Sequence, residues 1–262
     1  ARLTVVTVND ALLVAAAAAA GHADTLRDQG EAALLDLLGR VPAHTTRVLP
    51  AIDVATGPAD DEILLAAARA HADLIVMGTQ GLGGTSKLMF GSTTERVIRA
   101  TRVPVLAVPA YTPECITVLG GVTRFAVGSV VAAVALDPLD GAVSSAAAAW
   151  AEACGATLVV AHVCQEAPAP AWWPFTGSPV PAESLEAARA QVQELAGTLD
   201  VTPAPQVDVR RGAVPAAIAE ITRDRAAGLL VVSRGGGEHR LGAVAYRIMC
   251  DSDLPTLVVT GR

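Results

Sequence analysis

Between an apolar run ending at Met77 and a helix-like segment opening near Ser92, the chain carries Gly78-Thr-Gln-Gly81, nine further residues, and then Gly91-Ser92. Glycines let the backbone come close to a ligand and take positive φ, turning successive N–H groups into an anion-binding concavity. A helix beginning at the same place adds unpaired N–H groups and the positive end of its dipole, the usual seat of a phosphate. Ser92, Thr93 and Thr94 offer hydroxyl donors, and Lys87 a cation for part of a polyphosphate. These residues suit the holding of a phosphorylated ligand. Two common glycine-loop patterns fail: Lys87 follows Ser86 rather than a glycine, and a G-x-G-x-x-G started at Gly81 and Gly83 meets Ser86 at its third position. Ser92-x-x-Glu95 also reads as a helix capping box, which can share the turn with an anion.

The elements that must position this loop come twice. A shift of 155 residues lays residues 1–8 (ARLTVVTV) on 156–163 (ATLVVAHV), Gly57 on Gly212, Ile63 on Ile218, and Leu74 to Met77 on Leu229 to Val232. A shift of 151 lays Gly91 on Gly242 and 103–108 (VPVLAV) on 254–259 (LPTLVV), so the change of register falls inside the glycine loop. Matched Gly and Pro positions set this apart from chance likeness between Val-rich strands and indicate a tandem duplication. We divide the chain into a first domain, 1–110, an irregular linker, 111–127, and a second domain, 128–262. Within each copy, short β-branched runs alternate with Ala/Leu/Glu/Arg segments, the pattern of βα units on a parallel sheet. The second copy supplies five strands and four helices, a small doubly wound domain. The first begins at the partner of residue 156, so it lacks the first strand and helix of the second; a truncated start is the expectation, because a missing central strand exposes apolar ladders.

Composition narrows the function. Apolar residues make up 52% of the 262, and aromatics only 3%, so the core is built from Ala, Val and Leu. A formal charge of −7 argues against a nucleic-acid backbone as partner. The longest apolar run, 11–21, is about half of the ~20 residues a membrane span needs, and the four cysteines form no CxxC pair or His cluster, so a cytoplasmic, reduced setting without a membrane span is expected.

The spacing G-x2-G-x9-G-[ST] resembles the ATP-binding motif of the universal stress protein family. The segments 57–78, 72–81 and 91–109 look like that family's second half, and 130–260 resembles a whole domain. The resemblance implies two tandem Rossmann-like, adenine nucleotide alpha hydrolase-like domains with parallel five-stranded sheets, the first lacking its opening strand and helix, joined as an internal pseudo-dimer through their last strands, with a homodimer also open. It implies ATP, with Mg as a companion, or another adenine nucleotide as ligand, in a regulatory role in the stress response. Carried over residue by residue, it places the ligand on Met77, Gly78, Gly81, Gly91, Ser92, Thr93 and Thr94. The adenine side falls near Val8, and in the second copy the nucleotide-contacting Asp falls on Asp137. The second loop departs from the pattern: Ser233 replaces Gly78, five residues instead of nine separate Gly236 from Gly242, and Ala243 replaces Ser92, although Arg234, His239 and Arg240 could attract an anion. With no nucleophile paired to a base, hydrolysis would be slow at most. The competing functions are a nucleotide-independent interaction protein and the regulatory part of a larger transporter.

Other residues have ordinary readings. His162 is expected to be a satisfied strand-end histidine, Asp60, Asp61 and Glu62 to charge a helix N-terminus, and Cys154 and Cys164 to be buried thiols. Trp172, Trp173 and Phe175 gather aromatic surface in the connection 165–182, where they suit packing on their own domain, a partner contact or a lid. The Ala15–Ala20 run favours helix but offers little volume to bury.

Overall fold

The alternation of β-branched and Ala-rich segments folds as βα units in a computed structural model of the chain, which describes residues 2–40, 50–79, 91–110, 112, 116–119, 122–125, 127–165, 185–235 and 241–260. The first copy contributes β1 (Thr4–Asn9), α1 (Ala11–Ala19), α2 (Ala23–Gly39), β2 (Ala51–Thr56), α3 (Ala59–Ala70), β3 (Ile75–Gly78), α4 (Ser92–Ala100) and β4 (Val105–Val108). A hairpin of β5 (Ile116–Leu119) and β6 (Val122–Phe125) follows. The second copy contributes β7 (Ser129–Val134), α5 (Asp140–Cys154), β8 (Thr157–Gln165), α6 (Leu185–Gly197), β9 (Gln206–Gly212), α7 (Val214–Asp224), β10 (Ala227–Ser233), α8 (Ala243–Asp251) and β11 (Thr256–Val259). The hairpin corrects the reading of 111–127 as irregular. Its signal was present in the sequence, where Gly120-Gly121 separates two short runs rich in β-branched residues.

The second copy completes the expected parallel five-stranded sheet, in the order β9-β8-β7-β10-β11. Beyond β11 the sheet continues into the first copy: β4 pairs antiparallel with β11 (Ala107↔Thr256, Val105↔Val258), and β3 pairs parallel with β4. The last strands of the two copies thus join them into one seven-stranded sheet. Val105 and Val258, on either side of the junction, are fully buried. One apolar layer on this sheet runs through both copies, from Val97, Ile98 and Val105 to Ile218, Leu230 and Ile248; the layer on the other face gathers α5 and α6 around Val143, Ala147, Leu158 and Val192.

The first copy's own strands do not form one sheet. β1 and β2 pair parallel in a sheet of two, separate from β3 and β4. In the second copy β7 stands between β8 and β10, whereas among the described residues no strand stands between their counterparts β1 and β3. The consequence is read in exposure: Val76 on β3 is 60% exposed and its repeat partner Val231 on β10 is 0% exposed. A parallel strand needs cover on both faces and neighbours on both edges to bury such residues.

The matched glycines have a physical cause. Gly57 and Gly212, which end β2 and β9, take φ +153° and +145°, a conformation that side-chain-bearing residues rarely adopt. The Ala15–Ala20 run is helical up to Ala19, and α1 buries none of its residues; Asp10 caps it by accepting from the Leu12 N–H at 2.7 Å.

Candidate functional site

β3 delivers Met77 and Gly78 to the C-terminal edge of the sheet, where ligands of open α/β folds bind. Met77 is half-buried and packs on the apolar layer, and Gly78 is exposed. Gly81 and Lys87 lie outside the described residues. The chain is described again at Gly91, the N-cap of α4 (φ −61°, ψ 133°).

Two hydrogen bonds fasten the helix start to the end of β3, and a third ties that end to β4. The Gly91 N–H donates to the Thr79 carbonyl at 2.6 Å, the Thr94 hydroxyl to the Gly78 carbonyl at 2.8 Å, and the Thr79 N–H to the Val108 carbonyl at 3.0 Å. A Cβ on Gly91 would stand 3.0 Å from the Thr79 carbonyl oxygen, so this glycine is required by close approach rather than by positive φ. Thr94 is buried and braces strand to helix, while Ser92 is exposed and Thr93 half-buried.

The expected capping box does not form. Gly91, not Ser92, is the N-cap, and among the described residues no side chain caps the first amides of α4. Glu95 pairs instead with Arg99 at 2.6 Å, and Arg96 reaches Asp60 on α3 at 3.0 Å. Of the four N–H groups that a helix start cannot satisfy internally, Gly91's goes to Thr79 and those of Ser92, Thr93 and Thr94 remain, beside the exposed Ser92 hydroxyl. Such a turn can bind an anion with main-chain donors and the helix dipole.

Val8 lies on β1, in the separate two-stranded sheet, and is not brought into register with β3. The second copy repeats the two backbone bonds of the junction: the Arg234 N–H donates to the Val259 carbonyl and the Gly242 N–H to the Arg234 carbonyl, both at 2.9 Å, and Gly242 is the N-cap of α8; Ala245 stands where Thr94 donates its hydroxyl. Its cationic side chain turns elsewhere. Arg234 is buried and donates through Nη1 to the carbonyls of Thr101 at 2.9 Å and Arg99 at 3.2 Å in the first copy, so the expectation that it attracts an anion in its own loop is corrected. Nothing in the local sequence marks that role, because the partners lie more than a hundred residues away. His239 and Arg240 lie outside the described residues, as do Trp172, Trp173, Phe175 and Cys115.

Asp137, at the end of β7, accepts from the Leu139 N–H at 2.7 Å and is half-buried. Behind it the buried Asp140 accepts from the Ala135 and Asp137 N–H groups at 2.9 and 3.0 Å. Burial pushes the Asp140 carboxyl above its usual range against those amides, which pull it down. His162 is buried with Nδ1 2.9 Å from the Val134 carbonyl, as expected of a structural histidine. No group of three metal-ligating side chains occurs among the described residues, and none of their helices is long and apolar enough to cross a membrane.

Comparison with known proteins bears on what this geometry serves. The family model of the universal stress protein family matches residues 1–109 and again 127–260. The chain belongs to that family. A universal stress protein of Methanocaldococcus jannaschii is 35% identical over 85 residues, 32% of this chain and 49% of the relative. A universal stress protein of Thermus aquaticus is 48% identical over 48 residues, 18% of this chain and 35% of the relative. The chain thus spans about half and about a third of these two relatives. Among solved structures, a universal stress protein of Archaeoglobus fulgidus matches with a TM-score of 0.62 at 18% identity, over 92% of this chain and 79% of its own. A Pseudomonas aeruginosa protein assigned to the same family matches with a TM-score of 0.62 at 19% identity, over 99% and 92%. Those likenesses share the fold of a two-copy universal stress protein.

Proposed function

We propose that this universal stress protein binds an adenine nucleotide, ATP foremost and with Mg as a companion of the phosphates, at the loop between β3 and α4 of its first copy. The role is that of a cytoplasmic regulatory protein of the stress response. The observation that carries the reading is the first turn of α4, which no described side chain caps and which is pinned against the end of β3 through Gly91 and Thr94. Its amides, Ser92 and Thr93 take the phosphates, and Lys87 adds charge. Met77, Gly78 and Gly81 line the way to the nucleoside, with Val8 on the adenine side. Asp137 marks the corresponding place in the second copy. Among the described residues of the site none is placed to activate water, which favours a nucleotide held as a bound signal over a rapidly consumed substrate.

Titration of ATP into the whole chain by calorimetry tests the proposal, with Ser92→Asp as the diagnostic variant. A carboxylate in a first helical turn stabilises the helix by about 0.3–1 kcal/mol, yet repels a phosphate from the same turn. Saturable heat in the wild type, lost in a Ser92→Asp protein that melts no lower, supports the site. Absence of saturable heat in the wild type removes the nucleotide and leaves a universal stress protein that works through protein contacts alone.

A further inference from the structure

The loop of the second copy has kept the strand-to-helix junction and redirected its side chain. Because β4 and β11 run antiparallel, the C-terminal end of β11 lies beside the N-terminal end of β4, just after the C-terminus of α4. The Val259 carbonyl holds the Arg234 N–H at 2.9 Å, so this topology brings residue 234 next to the last carbonyls of α4. Those carbonyls lack partners within their own helix. Arg234 supplies them, at 2.9 Å to Thr101 and 3.2 Å to Arg99, and a guanidinium at that end also complements the helix dipole. The Thr260 hydroxyl donates to the Arg102 carbonyl at 2.6 Å, one residue past the helix cap.

We infer that Arg234, in the second copy, is a positioning residue for the first turn of α4 in the first copy, acting through the helix. The helix has nine residues, about 13 Å at 1.5 Å per residue. Its N-terminal turn, held to β3 by Gly91 and Thr94, faces the proposed ligand, and its C-terminal end is held by Arg234. Between these two ends Val97 and Ile98 are fully buried in the core. The second loop is thus a clasp rather than a second cradle, and the two copies divide the work of one site. This inference rests on the proposed nucleotide site for its consequence, although the clasp itself is tested without a ligand.

The test uses the full chain as wild type, Arg234→Met, Arg234→Lys and, as an interface control, Thr260→Val. Hydrogen exchange over residues 95–101 comes first. Arg234→Met is expected to speed exchange of these amides at least about fivefold, Arg234→Lys less, and Thr260→Val little. Unchanged exchange in Arg234→Met, or equal loosening in Thr260→Val, overturns the clasp. ATP titration of the same proteins then tests the coupling: Arg234→Met is expected to weaken binding at least about fivefold, the low end of ordinary coupling between sites, with Arg234→Lys partly restoring it. Wild-type affinity in Arg234→Met overturns the positioning role. A wild type that takes up no ATP refutes the nucleotide reading, overturns the positioning role with it, and leaves the exchange result standing for the clasp alone.

Discussion

Replacing Gly91 by Ala isolates the close approach on which the loop junction depends. The backbone at Gly91 (φ −61°, ψ 133°) suits any residue, so Ala brings no dihedral strain. Its methyl would lie 3.0 Å from the Thr79 carbonyl oxygen and 3.7 Å from the carbonyl carbon. Ordinary C···O contacts begin near 3.3 Å, so the junction must open by roughly 0.3 Å. The Thr79 carbonyl cannot simply retreat, because it accepts from the Gly91 N–H at 2.6 Å and its own residue is tied to Val108. Overpacking of this kind costs about 1–3 kcal/mol, offset by about 0.4–1 kcal/mol from the narrower unfolded ensemble of Ala. The net expectation is a loss of about 1–2 kcal/mol. Gly141→Ala is the control: Gly141 lies in the first turn of α5, a Cβ there meets nothing within 4 Å, and stability should rise by about 0.5 kcal/mol. Urea denaturation at unchanged m reads both. Gly91→Ala as stable as the wild type, or shifted upward like Gly141→Ala, would refute the idea that space at this junction selects glycine.

Two further predictions follow from single side chains. Thr94→Val removes the hydroxyl that donates to the Gly78 carbonyl at 2.8 Å while keeping its shape, and should cost about 1–2 kcal/mol in urea denaturation, with ATP affinity falling as the helix start loosens. Asp208 on β9, gripped by Arg210 at 3.0 Å and Arg225 at 2.9 Å, has its carboxyl held below the usual carboxylate range chiefly by the Arg210 hydrogen bond. A lowered folded value means that its stabilisation is present above the unfolded pKa of about 3.9 and is lost as pH falls through the folded value. Asp208→Asn should therefore cost about 1.5–3 kcal/mol at pH 7, and the gap between variant and wild type should begin to shrink below about pH 4 in thermal melts; a gap independent of pH would contradict this.

What the sequence made legible was whatever repeats or alternates. The strand runs, the order of βα units and the Gly57/Gly212 pair follow from local chemistry, and the glycine spacing pointed to the strand-to-helix junction that the fold contains. The capping box was misread by one residue, because both Gly91 and Ser92 are acceptable caps and only the backbone conformation at Gly91 decides between them. Glu95 then sits one position too far along to close the box, and it finds Arg99 a turn later. The exposure of Val76 against its buried partner Val231 was equally invisible, since the two residues are identical and only the neighbouring strand differs. Arg234 looked like a remnant of a phosphate site because sequence shows its charge and not the carbonyls it meets.

The antiparallel junction explains why the two loops could diverge without harm. Whatever follows β3 is hydrogen-bonded to the end of β4, and whatever follows β10 to the end of β11, through the Thr79 and Arg234 N–H groups. The pseudo-two-fold relation that sets position 234 beside the C-terminus of α4 sets position 79 on the same footing towards the C-terminus of α8. Thr79 is buried, as Arg234 is, but its side chain is too short to span from one copy to the other. The short side chain leaves its loop free for the proposed ligand, and the long cationic one fastens onto the opposite copy. If the first loop holds a nucleotide as proposed, duplication gave that site two supports: Gly91, from its own copy, allows the close approach of strand and helix, and Arg234, from the other copy, fixes the helix end.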